Sequence, residues 1–247
     1  MQIIFGIHAI EEALAARGRR FDYVALAPGR GDAQIQKIAQ LCRSAGVPVR
    51  SMPRDQLTRL AKTSAHQGVV AVTAEKQYGD LEDVLAHKRG QHSLIVVLDG
   101  IEDPHNLGAI IRTAEGAGAD GIVIPERRAV GVTSTVVKAS AGASEYLPVA
   151  KVTNIGRALE QLKESNIWTV GLDERGSTLY DHVDYKMDCA IVLGAEGHGL
   201  HEQIRKKCDF LVSIPMLGKV PSLNVSVAAA IVLYEVARQR REPVLST

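Results

Sequence analysis

Metal, thiol and nucleotide-triphosphate chemistry find little to work with in this sequence. The three cysteines, Cys42, Cys189 and Cys208, form no CxxC pair and no even framework, which points to buried reduced thiols rather than a metal site or disulfides. Histidines are scattered without HExxH or metal-ligand pairing, so no metal is expected. A dinucleotide fingerprint, with glycines turning a strand into a helix, is absent, as is a Walker A run ending in GK[ST]. Both absences argue against a nicotinamide enzyme or a nucleoside triphosphatase. No nucleophile elbow or Ser-His-Asp pattern stands out. No apolar run approaches the ~20 residues that span a bilayer, so no membrane partner is expected. The first six residues carry no basic n-region or extended apolar stretch, and the expected location is the cytoplasm.

Net charge is +1 and by itself names no partner. Its distribution says slightly more. Residues 1–75 carry ten Lys/Arg against six Asp/Glu, residues 76–92 three of each, and residues 93–247 sixteen against nineteen. A small basic module on a mildly acidic body suits a module that meets phosphate, although an excess of this size is also common on solvated surfaces.

With 247 residues, 46% hydrophobic and 23% charged, the chain reads as soluble and globular, long enough for one large or two modest domains. Residues 1–75 alternate short elements: strands at 2–5, 23–26 and 69–73, an extended stretch at 48–50, and helices at 8–16, 33–45 and 54–60. They make a compact α/β unit. Arg17, Arg19 and Arg20 cluster where the first helix ends, serving either the helix dipole or an RNA contact. Residues 76–92 are polar, with one weak helical turn, and read as a connection. The remainder alternates strands (94–98, 122–124, 146–149, 168–172, 189–193, 210–214) with helices (106–117, 133–140, 155–163, 225–239), which argues for a parallel sheet with helices on both faces.

Three stretches in this second part draw attention. In the helix at 106–117, Leu107, Ile110, Ile111 and Ala114 share one face, Arg112 points away from it, and Asn106 is placed to cap the amino end. The loop 194–200 holds three glycines and Glu196 directly after an apolar strand, where glycine permits positive φ and close approach of a ligand. The loop 215–224 is stiffened by Pro215 and Pro221 and ends in Ser222-Leu223-Asn224, with Asn224 a natural cap for a final helix that is apolar nearly all round and so expected to be buried. Ligands of open α/β sheets sit outside the carboxyl ends of strands, where both loops fall. Taken alone, each stretch is also explained as a helix cap, a solvated arginine or a plain connection.

Together they carry a resemblance. Asn106-Leu107-Gly108-Ala109-Ile110-Ile111-Arg112-Thr113, Leu193-Gly194-Ala195-Glu196-Gly197-His198-Gly199-Leu200, and Ile214-Pro215-Met216 with Ser222-Leu223-Asn224-Val225-Ser226 resemble, in order, the three motifs of the SpoU (TrmH, SPOUT) family of RNA ribose 2′-O-methyltransferases. Ile4-Phe5-Gly6-Ile7-His8-Ala9-Ile10 and Gln67-Gly68-Val69 resemble that family's amino-terminal substrate-binding domain. The resemblance implies an RNA-binding α/β domain at 1–75, a linker at 76–92, and at 93–247 a parallel-sheet catalytic domain with a deep trefoil knot. Periodicity could not have revealed a knot, since knots are nearly absent from proteins. The resemblance further implies bound S-adenosylmethionine, a homodimer, and methylation of a guanosine ribose in 23S ribosomal RNA. A transfer-RNA methyltransferase of the same family, or a non-catalytic RNA-binding protein of ribosome assembly, are the alternatives. Carried over residue by residue, Leu193, Gly194, Ile214, Met216 and Leu223 would hold the cofactor, and Asn106, Arg112, Glu196, Ser222 and Asn224 would form the reaction site. A guanidinium is effectively always protonated, so Arg112 is expected to orient an RNA phosphate and steady charge on the 2′-oxygen first, and to remove a proton only second.

Overall fold

The structure is a computed structural model that describes residues 1–28, 33–195 and 197–241. It divides into two compact units, residues 1–77 with 131–146, and residues 78–130 with the chain from 147 onward.

The first unit opens with β1 (Gln2–Phe5), α1 (Ile7–Ala16), β2 (Phe21–Leu26), α2 (Ala33–Ser44), β3 (Val49–Ser51), α3 (Arg54–Ala61) and β4 (Val69–Thr73). Its sheet runs β1-β4-β2-β3, with β4 antiparallel to both neighbours and β2 parallel to β3. Every residue of β4 is buried, and all but Ala71 are β-branched, as suits a central strand covered on both faces. On one face α3 inserts Leu57 among Phe5, Ala25 and Val70. A polar chain fixes α3 to the turn before β4. The Gly68 N–H donates to His66 Nδ1 (3.0 Å), His66 Nε2 donates to Thr58 Oγ1 (3.0 Å), and that hydroxyl donates to the Arg54 carbonyl (3.0 Å). Burial, then the neighbouring Arg54 charge, lowers the His66 pKa, which keeps the imidazole neutral and able to accept at Nδ1.

Then follow α4 (Leu81–Ala86), β5 (Leu94–Asp99), α5 (Pro104–Gly116), β6 (Gly121–Pro125), α6 (Ser134–Ala139), β7 (Val149–Val152), α7 (Ile155–Glu164), β8 (Trp168–Leu172), β9 (Thr178–Leu179), β10 (Cys189–Gly194), α8 (Glu202–Arg205), β11 (Phe210–Ser213) and α9 (Val225–Arg240). Of these, α6 and its flanks belong to the first unit. The fully buried Val136 and Val137 help to hold them there, and so does charge: Arg19 donates from Nε (2.7 Å) and Nη2 (2.8 Å) to the two oxygens of Glu145, and from Nη1 to Gln2 Oε1 (2.6 Å). Lys76 Nζ donates to the Ser144 carbonyl (2.5 Å). Both partners of the Arg19–Glu145 pair have side chains only 1% exposed. Arg19 therefore serves neither the dipole nor an RNA contact, because its charge is taken up inside the unit.

The second unit is built on a seven-stranded, wholly parallel sheet of order β7-β6-β5-β10-β8-β11-β9. From β5 the chain fills one side through β6 and β7, then crosses to build the other. The boundary between β5 and β10 is thus the switch point at which α/β sheets open a crevice. Three expectations are revised here. The strand predicted at 146–149 lies at Val149–Val152, because Pro148 has no N–H for the ladder, which starts at Ile122 opposite Val149. The helical turn expected around Leu81–Leu85 is present as α4 with a capping box between Asp80 and Asp83, but it is not part of a polar connection, because Leu81 and Val84 enter the core. The final helix is not buried all round: Val227 (48%) and Tyr234 (52%) are exposed two turns apart. Apolar composition alone does not distinguish a core face from an open one. Gly116–Gly121 does have GxGxxG spacing, but it leaves α5 and enters β6, the reverse of the dinucleotide-binding sense.

Among the described residues, no helix is long and apolar enough to cross a membrane, and no group of His, Cys, Asp and Glu is placed to hold a metal.

Candidate active site

β5 ends in Asp99 and turns at Gly100, whose φ of +90° suits glycine. Asp103 then caps α5 by accepting the His105 N–H (3.0 Å), with Pro104 as the first helical residue. The helix thus starts two residues earlier than periodicity predicts. Asn106, expected as the cap, lies inside the first turn and is buried. Its Oδ1 accepts from Asn224 Nδ2 at 3.0 Å. Asn224 is itself the cap of α9, its Oδ1 accepting from the Ser226 N–H (2.9 Å) and Oγ (2.6 Å). One amide therefore closes the start of α9 and ties it to the start of α5. Further along α5, Leu107, Ile110, Ile111 and Ala114 are buried as their spacing predicts, while Arg112 faces solvent and pairs with no acid among the described residues.

From β10, Leu193 and Gly194 are buried and the loop doubles back, the Gly199 N–H donating to the Ala195 carbonyl (2.9 Å). A Cβ on Gly194 would sit 2.0 Å from the carbonyl carbon of Gly199 and 2.2 Å from its oxygen, so the loop itself demands glycine there. Gly197 and Gly199 hold φ of +80° and +65°. Glu196 lies outside the described residues. The far end of this loop is pinned to β5: Asp99 Oδ2 accepts from both the backbone N–H and Nδ1 of His201, each at 2.9 Å. At the end of β8, Asp173 binds Arg175 through Nε and Nη2 (both 2.8 Å), and that guanidinium holds the Asp173 carboxyl below its ordinary pKa. Sequence reasoning passed over Asp99 and Asp173, although an acid closing or following an apolar strand is the signal that marks each of them.

Beyond β11, Ile214 is half-buried, and no hydrogen bond to a described residue engages the backbone of residues 216–223. Met216 (37%) and Leu223 (36%) expose apolar surface there, and Ser222 is exposed. The structure thus joins Asn106 to Asn224 directly. It sets Leu193, Gly194 and Ile214 at the carboxyl ends of β10 and β11, on one edge of the sheet with β8 between them.

The SpoU rRNA methylase family model matches residues 93–234. The chain belongs to the SpoU methylase family. A second family model, for the substrate-binding domain of RNA 2′-O ribose methyltransferases, matches residues 3–79. YacO of Bacillus subtilis strain 168, assigned to the TrmH family of tRNA/rRNA methyltransferases, is 44% identical over 239 residues, covering 96% of this chain and 95% of YacO. The SpoU methyltransferase AviRb of Streptomyces viridochromogenes, crystallised with AdoMet, matches with a TM-score of 0.82 at 28% identity over 96% of this chain and 90% of its own. An AdoMet-bound rRNA methyltransferase of Sinorhizobium meliloti matches with a TM-score of 0.80 at 26% identity, over 98% and 88%. The α/β fold described above is that of SpoU methyltransferases, and the chain is an RNA methyltransferase of this family.

Proposed function

We propose that the protein methylates the ribose 2′-hydroxyl of a guanosine in 23S ribosomal RNA with S-adenosylmethionine, acting in the cytoplasm as a homodimer. The observation that carries this reading is the Asn106–Asn224 hydrogen bond, which draws the first and third motifs together beside the switch point of the sheet. The cofactor's chemistry fits the chain around it. An adenosyl sulfonium needs hydrogen-bonding backbone and apolar surface. The stretch 216–223 offers backbone groups with no partner among the described residues, between the part-exposed side chains of Met216 and Leu223. Leu193, Gly194, Ile214, Met216 and Leu223 would hold it, and when bound it supplies an electrophilic methyl group. The same reading takes the stretch leading into α9 as the threaded segment of a trefoil knot.

A ribose hydroxyl is a weak acid and a poor nucleophile, so the site must align it and manage its proton. Asn106, Ser222 and Asn224 supply amide and hydroxyl groups to orient it, and Glu196 of the second motif would complete the reaction site. Arg112, exposed and free of carboxylate partners among the described residues, binds an RNA phosphate and stabilises negative charge growing on the 2′-oxygen. The exposed Val227 and Tyr234 on α9 support pairing with a second copy.

The test is methyl incorporation from labelled S-adenosylmethionine into unmodified 23S and transfer-RNA transcripts, with the site mapped. Transfer-RNA methylation alone would overturn the ribosomal assignment; no transfer despite calorimetric binding of the cofactor would favour a non-catalytic role. Single-turnover rates against pH for Arg112→Lys test the arginine: a wild-type rate with merely weaker RNA binding would remove it from the chemistry. Sedimentation of Val227→Glu tests the dimer.

A further inference from the structure

The basic excess of the first unit is local. Arg43, Arg50, Arg54, Arg59 and Lys62 fall between residues 43 and 62 with Asp55 the sole acid among them, and the rest of residues 1–75 is balanced. The structure sharpens the contrast. Arg19, Arg20 and Lys37 each pair with a carboxylate, whereas Arg50, Arg54, Arg59 and Lys62 pair with none among the described residues. β3 is the edge strand of its sheet and is exposed at all three positions. Its register sets Arg50 beside Ala25, on the sheet face where Ala25 packs against Leu57 of α3. Arg50 and α3 therefore share one face. There the guanidinium carbon of Arg50 lies 3.9 Å from the centroid of the Tyr23 ring, and Arg50 is an exposed residue.

An arginine held over an aromatic ring is a flat, cationic, partly desolvated step. Nucleic-acid bases stack on such planes when they are unpaired, and duplex RNA keeps its bases out of reach. Cations without acid partners beside that step can follow the backbone of the same strand. We propose that Tyr23 and Arg50 form a stacking step for one unpaired nucleotide of the RNA substrate, with Arg54, Arg59 and Lys62 engaging the flanking phosphates. This rests on the RNA-methyltransferase reading above and narrows its substrate to a loop or single strand at this face.

The test is binding of the full chain to a single-stranded oligoadenylate and to an RNA duplex of equal length, by fluorescence anisotropy over a range of salt. Arg50→Lys keeps the charge and loses the plane, and Tyr23→Leu keeps apolar volume and loses the ring. Each should weaken single-strand binding roughly tenfold and leave duplex binding near wild type, with unchanged melting temperature. The pair Arg59→Gln with Lys62→Gln should weaken both ligands and flatten the salt dependence by about two ions. Wild-type single-strand affinity in Arg50→Lys, an equal loss on duplex, or competition by polyglutamate as strong as by RNA would overturn the stacking step. Those outcomes leave methyl transfer by the wild-type chain untouched, so failure here and failure of the proposed function are read separately.

Discussion

Replacing Glu145 with alanine strands a guanidinium. Arg19 would keep Gln2 Oε1 and lose both carboxylate oxygens, in a place where the side chains of both partners are 1% exposed. Breaking a buried ion pair from one side costs about 3–5 kcal/mol, whereas a surface pair is worth about 0–1 kcal/mol. Native stability is about 5–15 kcal/mol, so about a fifth of it or more is at stake. For a domain of ~60–100 residues each kcal/mol moves the melting temperature by about 4–8 °C, so the first unit's transition should fall by more than about 10 °C. Calorimetry of the full chain should show that transition moving alone, because residues 131–146 belong to the first unit although they follow β6 in sequence. Binding of S-adenosylmethionine, measured on the same sample, should survive. The control is Arg19→Met with Glu145→Leu. A buried pair is often near break-even against apolar replacements, so the double variant should regain most of the loss. A shift of only about a degree in Glu145→Ala, or a double variant no better than either single one, would refute the claim that this pair holds the segment in place.

Asn224→Ser keeps an oxygen to cap α9 but drops the amide that donates to Asn106; stability should stay within about 1 kcal/mol while methyl transfer falls, and an unchanged single-turnover rate would remove the Asn106 contact from the chemistry. Arg175 holds the Asp173 carboxyl below its unfolded value of 3.8, so its stabilisation is present above that value and is lost as pH falls through the lower folded pKa. Arg175→Ala should therefore lose stability at neutral pH and narrow the gap between urea midpoints at about pH 7 and about pH 3; equal gaps in both proteins would contradict this. Burial pushes the Cys42 and Cys189 thiols up to about 11 and Cys208 to about 12. The thiolate fraction at neutral pH is on the order of 10⁻⁴ or less, so iodoacetamide should label all three only after unfolding, and rapid labelling of the native chain would show that burial wrong.

Where one local rule decided the outcome, the sequence was a sufficient guide. The apolar runs of β5 and β10, the amphipathic spacing of α5 and the cap at Asn224 all stand where they were expected. Where two rules compete, boundaries moved. Asp103-Pro104 outbid Asn106 for the start of α5, because a proline in the first turn needs no N–H partner and an aspartate before it caps directly. Long-range pairing was out of reach altogether. Arg19 and Glu145 are far apart in sequence and neither lies in a pattern that predicts the other, so the assignment of residues 131–146 to the first unit could come only from the fold. The buried Asp99 that pins His201 is of the same kind.

This division also determines which substitutions report on chemistry. Gly194 is required by the backbone of Gly199 and Leu200 packed against it, and Asn224 closes a helix, so loss of activity in Gly194→Ala, or in an Asn224 variant that lacks a capping oxygen, would follow from loop or helix damage whether or not the residue touches a substrate. Arg112 and Ser222 stand differently. Both are exposed and neither bonds to another described residue, so the fold gains nothing from their side chains. Polar groups that do no structural duty, on a helix and a loop that follow the carboxyl ends of β5 and β11, are free to act on a ligand. Ser222→Ala and Arg112→Lys should therefore leave melting temperature and cofactor affinity at wild-type values. Whatever they cost in single-turnover methyl transfer at saturating RNA can be assigned to the reaction itself, and a fall in stability in either would show that these side chains support the fold after all.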